Sequence, residues 1–167
     1  MRNPRYITRK KSTVPVRDQW VAHHFVVCSA AVLAEKSAQC DFAPQAAAAR
    51  AVDAAVPFLE RSDAASIVAI ASTAAVNTSG GVRAYSGVKA ALINYLSGLS
   101  TNLGAKGIRA NTVSPGAIFF EGGVWDVRKR EAPQAYQDAV ARNPFGRLGT
   151  PEEVANATVF LASPAAS

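Results

Sequence analysis

Ser66-Ile67-Val68-Ala69-Ile70-Ala71-Ser72 is a short, continuous apolar run closed by a serine, and its reading decides the fold. The run is too short for a helix. Its lack of polar alternation predicts a strand covered on both faces, as in a parallel sheet. Upstream, Ala46 to Leu59 is alanine-rich, with Ala49, Val52, Ala55, Val56 and Leu59 spaced for one packing face of a helix. Pro57 inside that pattern should kink the helix or end it early. Downstream, Tyr85, Val88, Leu92, Leu96, Leu99 and Leu103 recur at spacings of three and four, the strongest helical pattern in the chain. Gly104 and Gly107 mark its end.

Ile108 to Val113 reads as a second covered strand, stopped by Ser114-Pro115-Gly116. Residues 117–145 read as irregular and aromatic. Thr150-Pro151-Glu152-Glu153 is a helix start: a capping hydroxyl, a proline in the first turn, and two carboxylates at the positive end of the dipole. Val154, Ala157, Phe160 and Leu161 continue that helix until Pro164 ends it. Before residue 45 the pattern is less regular, although His24-Phe25-Val26-Val27-Cys28 reads as a further buried strand. No internal repeat is present. Helices alternating with strands imply crossovers, a parallel sheet and helices on both faces. The strand ends at Ser72 and Ser114 then open on one edge, where open α/β sheets take their ligands.

Composition sets the outer limits. With 167 residues, 49% hydrophobic and 18% charged, the chain is long enough for one packed domain and too apolar to be disordered. It has no run of eighteen apolar residues, so no membrane span is expected. Cys28 and Cys40 cannot build a disulfide framework and suit a reducing cytoplasm. Of the net charge of +6, residues 1–50 carry +5 (eight Lys/Arg against three Asp/Glu) and residues 51–167 carry +1 (ten against nine). The excess sits in Arg2, Arg5, Arg9, Lys10, Lys11 and Arg17, a basic leader on a nearly neutral body. A solvated tail is the favoured reading over a phosphate-binding arm. Nucleic-acid binding ranks last, because no aromatic platform or recognition helix accompanies the charges.

Three residues suggest chemistry. Tyr85 and Lys89 are four apart at the start of the strong helix and share a face. An ammonium beside a phenol favours the phenolate, and such a pair can pass a proton to or from a carbonyl or alcohol oxygen. By itself the spacing is also that of an ordinary helix face, as Tyr95 illustrates. Ser72 adds a hydroxyl directly after the strand, placed to donate to an oxygen where negative charge develops. A turn-capping serine is the plain alternative, as for Ser66 and Ser86, and Ser79 is the nearest rival hydroxyl.

The segments Ile67–Ser72 and Tyr85-Ser86-Gly87-Val88-Lys89-Ala90-Ala91 resemble the active-site region of short-chain dehydrogenases/reductases. Ile108-Arg109-Ala110-Asn111-Thr112-Val113-Ser114-Pro115-Gly116 is similar to the family's strand and Pro-Gly turn beside the nicotinamide. Asn143-Pro144-Phe145-Gly146-Arg147-Leu148-Gly149-Thr150-Pro151-Glu152-Glu153-Val154-Ala155 resembles its C-terminal signature. The likeness covers about residues 46–167 and is nearest to 3-oxoacyl carrier-protein reductases.

This resemblance implies a Rossmann-like, doubly wound α/β sheet, and an NAD- or NADP-dependent oxidoreductase acting on a small carbonyl or secondary-alcohol substrate. Tyr85 would be the general acid or base. Lys89 would hold the nicotinamide ribose and support the phenolate, and Ser72 would orient the substrate oxygen. Pro115, Gly116 and Ile118 would line the nicotinamide. The aromatic segment 117–145 would close over the substrate, with packing into the core the even alternative, and Phe120 stands where many relatives carry threonine. The family's glycine-rich pyrophosphate turn does not occur before residue 46. The expectation is therefore an incomplete sheet whose N-terminal βαβ nucleotide-binding half is missing, with residues 1–45 a basic irregular leader and 46–167 the catalytic half. A sheet with open edges should associate as a homo-oligomer through the helices at 46–60 and 84–103. The competing reading is a truncated, non-catalytic relative that acts as a fragment or dimerisation partner.

Overall fold

A computed structural model of the protein describes residues 25–29, 43–77 and 83–167, with side chains from residue 47 onward. The basic residues of the leader up to Arg17, and Ser79, lie outside the described residues. Among the described residues three strands, β1 (Phe25–Ser29), β2 (Ser66–Ile70) and β3 (Arg109–Val113), form a parallel sheet in the order β1-β2-β3. The register pairs Phe25 with Ser66 and Ser66 with Arg109 at one end, and Ser29 with Ile70 and Ile70 with Val113 at the other. The α/β fold expected from the sequence is the fold observed.

The central position of β2 explains its composition. Ile67, Val68 and Ala69 are fully buried, because both neighbours and both faces of the strand are covered. Ile67 and Ala69 point into a core shared with Val52 and Leu59 of helix α1 (Ala43–Leu59) and with Leu92, Leu96 and Leu103 of helix α2 (Ala84–Gly104). Ser66, the residue before Ile67, points to the opposite face, where its hydroxyl donates to the Leu161 carbonyl of helix α5 (Pro151–Ala162) at 3.1 Å. Period-two alternation thus survives in a strand that is apolar but for its first residue. Arg109 does the same on β3. Its guanidinium donates to the carbonyls of Leu161 (2.7 Å) and Ser163 (3.0 Å), which closes the C-terminal end of α5 with a cation.

Two expectations are corrected. Pro57 neither breaks nor shortens α1, which runs through it to Leu59. A proline in the last turn removes one backbone donor, and the amide of Glu60 still reaches Val56 at 2.9 Å. The segment 117–145 is not irregular: it holds helix α3 (Val124–Glu131) and helix α4 (Pro133–Ala141), which pack on one another. Helix α3 buries none of its residues, so it has no apolar stripe for periodicity to detect. Pro133 in the first turn of α4 was the legible signal.

Candidate active site

The carboxyl ends of β2 and β3 are tied side by side beyond the sheet. The Ala71 amide donates to Val113 at 2.8 Å and the Thr73 amide to Pro115 at 3.0 Å. Ser72 is therefore held between two anchored neighbours, next to the Pro115-Gly116 turn. Its hydroxyl oxygen accepts from the Ala74 amide at 3.2 Å and caps a short 3-10 turn, Thr73–Ala75, that packs against α2. The capping role foreseen as the plain alternative is real. It uses only an acceptor lone pair, so the hydroxyl hydrogen can still be donated.

Helix α2 brings the other two groups to the same end. Lys89 is 3% exposed, and its Nζ donates to the Ile70 carbonyl at the last residue of β2, at 2.8 Å. One turn earlier, the Tyr85 ring centroid lies 5.8 Å from Nζ. Burial pushes the Lys89 pKa below its ordinary value, because water that would solvate the ammonium is excluded. Ser72, Tyr85 and Lys89 thus gather at the carboxyl end of β2 rather than on different faces. Tyr95, ten residues on, packs against the core as an ordinary aromatic.

Of the residues expected to line a nicotinamide, Pro115 is half-buried and Gly116 exposed at the mouth of β3. A side chain added at Gly116 would meet no atom within 4 Å, so space is open above the turn. The turn thus has room for a flat ring, and the Lys89 ammonium is a donor that could hold a hydroxyl group. Ile118 lies further on, bridged in parallel to Gly149. That bridge draws together the two stems of the α3–α4 hairpin. On the hairpin itself, the rings of Phe119 and Tyr136 meet edge to face at 6.2 Å, with the Lys129 ammonium 5.5 Å and 5.7 Å from the two rings. A groove of about 340 Å³ lies at the other end of β3, lined by Gly107, Ile108, Arg109 and Ala166, away from the Ser72–Lys89 cluster.

Sequence reasoning missed two arginines. Arg109, inside a recognised motif, turns out to close α5. Arg147 pairs with Glu153 through two contacts, Nη2 to Oε1 at 2.6 Å and Nη1 to Oε2 at 3.0 Å. The Thr-x-x-Glu spacing from Thr150 to Glu153 was a readable signal for half of this arrangement, a capping box that the structure contains in full.

Residues 13–167 match the family model described as enoyl-(acyl carrier protein) reductase. An isoepoxydon dehydrogenase from Penicillium expansum is 42% identical over 117 residues, 70% of this chain and 45% of that protein. An oxidoreductase of the short-chain dehydrogenase/reductase family from Burkholderia thailandensis superposes with a TM-score of 0.68 at 29% identity, over 85% of this chain and 58% of its own. An NADPH-bound short-chain oxidoreductase from Pseudomonas aeruginosa, described as having an atypical catalytic center, gives 0.69 at 28% identity, over 84% and 59%. The chain spans about half the length of the curated relative it matches.

Proposed function

The chain belongs to the short-chain dehydrogenase/reductase family, and from that premise we propose that it serves hydride transfer between NAD or NADP and a small carbonyl compound or secondary alcohol. The observation that carries the reading is Lys89: a charged side chain almost wholly buried, anchored on the last carbonyl of β2, with a tyrosine ring beside its ammonium. A buried charge costs stability unless it is partnered, and a functional requirement accounts for its retention.

The cofactor supplies the hydride when bound. Tyr85 holds the proton at its phenolic oxygen, giving it to a carbonyl oxygen in reduction and taking it from an alcohol in oxidation. Lys89, anchored on the Ile70 carbonyl, offers donors to ribose hydroxyls. Ser72 donates its hydroxyl hydrogen to the substrate oxygen while its lone pair stays on the Ala74 amide. Pro115, Gly116 and Ile118 present backbone and one apolar side chain to the nicotinamide. The α3–α4 hairpin covers the substrate, and its exposed Phe120 and Val124 favour an apolar one. A reducing cytoplasm suits this work. Among the described residues no helix is long and apolar enough to cross a membrane. Copies of the chain associate through the outer faces of α1 and α2.

A non-catalytic partner role is the second reading. Titration with NADH and with NADPH, followed by quenching of tryptophan fluorescence, separates the two. Saturable binding of either supports the dehydrogenase, and no binding of either at millimolar concentration supports the partner role. In an active preparation, Tyr85→Phe should cut turnover by roughly a hundredfold or more while leaving NADPH affinity nearly unchanged, and Lys89→Ala should damage both. Full turnover in Tyr85→Phe would remove the proton-transfer role.

A further inference from the structure

The chain leaves β3, builds the α3–α4 hairpin, and returns at Gly149. Where the two stems meet, two backbone bonds join them: the Phe119 amide to Gly149 at 2.8 Å and the Gly149 amide to Ala117 at 2.9 Å. The fit is close. A methyl group placed on Gly149 would stand 2.6 Å from Ile118 Cδ1 and 3.4 Å from Glu153 Oε2. Gly149 is thus enclosed between the Ile118 side chain and the Glu153 carboxylate.

That carboxylate is held from two sides. Arg147 grips both of its oxygens, and the Thr150 amide donates to Oε2 at 2.8 Å. Arg147 also donates to the Leu148 carbonyl at 3.1 Å, bridging to the residue before Gly149. The Arg147 hydrogen bonds and the Thr150 amide keep the Glu153 carboxyl down at about 2, so the anion persists throughout the neutral range. Both side chains are about half exposed, and an isolated exposed pair contributes little to global stability. This pair is bidentate and joined to a backbone amide, the arrangement in which such contacts have most effect. Its load is also local, a junction of two hydrogen bonds rather than a whole core.

We propose that Arg147 and Glu153 form a positioning clamp that presses Gly149 against Ile118 and so sets both the Pro115–Ile118 wall of the site and the root of the α3–α4 hairpin. The link to cofactor binding rests on the dehydrogenase reading above. The clamp itself does not.

Two substitutions divide the arrangement. Arg147→Met removes the ion pair and leaves the Thr150–Glu153 capping box. Thr150→Ala removes the cap hydroxyl and leaves the ion pair. Hydrogen exchange of the Phe119 and Gly149 amides should quicken about fivefold in Arg147→Met, the order set by one exposed ion pair, and stay at the wild-type rate in Thr150→Ala. Exchange at Val68 and Leu92 should not change in either. Arg147→Lys, which keeps the charge and a single donor, should restore part of the protection. Unchanged exchange at Phe119 and Gly149 in Arg147→Met would overturn the clamp, as would an equal effect from Thr150→Ala, which would reduce the pair to helix capping. In fluorescence titrations, NADPH affinity should fall by a similar factor of about five in Arg147→Met. Unchanged affinity alongside faster exchange would overturn the connection to the site. A wild-type chain that binds neither NADH nor NADPH would instead refute the dehydrogenase reading, and the exchange comparison would still decide the clamp.

Discussion

Lys89 is charged and buried, and the two facts oppose each other. In the folded state its pKa lies below the ordinary value of 10.5, with desolvation as the cause. Below the folded pKa the lysine is protonated in both states, and the penalty for burying charge is fully present. Between the folded pKa and 10.5 the unfolded chain keeps a proton that the folded chain has lost, so stability rises with pH. Comparing Lys89→Met with its parent isolates this contribution, since the other titrating groups cancel. Tyr85 is a titratable neighbour of the ammonium, so both proteins should carry Tyr85→Phe. Urea unfolding at a series of pH values from neutral upward should show the lysine protein gaining on the methionine variant. A constant difference would mean that the ammonium is not penalised by burial. The sequence disclosed this residue through its spacing from Tyr85. It did not disclose Arg109 or Arg147, because what they grip is set by tertiary contact: Arg109 reaches carbonyls more than fifty residues away, and Arg147 spans a turn whose shape no periodicity describes.

Helix α2 carries both the site and much of the core. Its first two turns present Tyr85 and Lys89, and the turns beyond them bury Leu92 and Leu96 against β2. A loss of packing below should therefore be felt as a loss of alignment above. Leu92 is 1% exposed, and Leu92→Ala should cost about 2–5 kcal/mol, measured as a shift in the urea midpoint at unchanged slope. A cost below about 1 kcal/mol would mean that the helix is not seated on the sheet as described. Elements of this kind were legible because burial imposes a period. The apolar rows of α1 and α2, the covered run of β2 and the capped start of α5 all follow from which faces are hidden. Helices α3 and α4 escaped because they pack chiefly on each other, and α3 hides no residue completely. The proline in α1 misled because its position in the final turn, not its presence, governs the damage.

At the scale of the whole molecule, the described residues place three parallel strands in one sheet. Every residue of β3 is only half-buried, as befits a strand at the edge of the sheet. The layer formed by α1 and α2 turns small side chains outward: Ala47, Ala51 and Ala54 on one helix, Ala91 and Gly98 on the other are exposed. Small residues let helix backbones approach closely, and a second copy could lay its own pair of helices across this face with little displaced water to replace by hydrogen bonds. Association would then remove apolar surface from water in proportion to its area. If so, sedimentation should give a dimer or larger species, and the thermal midpoint should rise with protein concentration, because binding of a second folded copy draws the equilibrium away from the unfolded chain. Introducing bulk and charge at the centre of the layer, Ala51→Arg with Ala91→Arg, should return the protein to a monomer with a lower midpoint that no longer depends on concentration. A wild-type chain that sediments as a monomer and unfolds cooperatively at one midpoint whatever its concentration would show that the two helices already suffice to cover their side of the sheet.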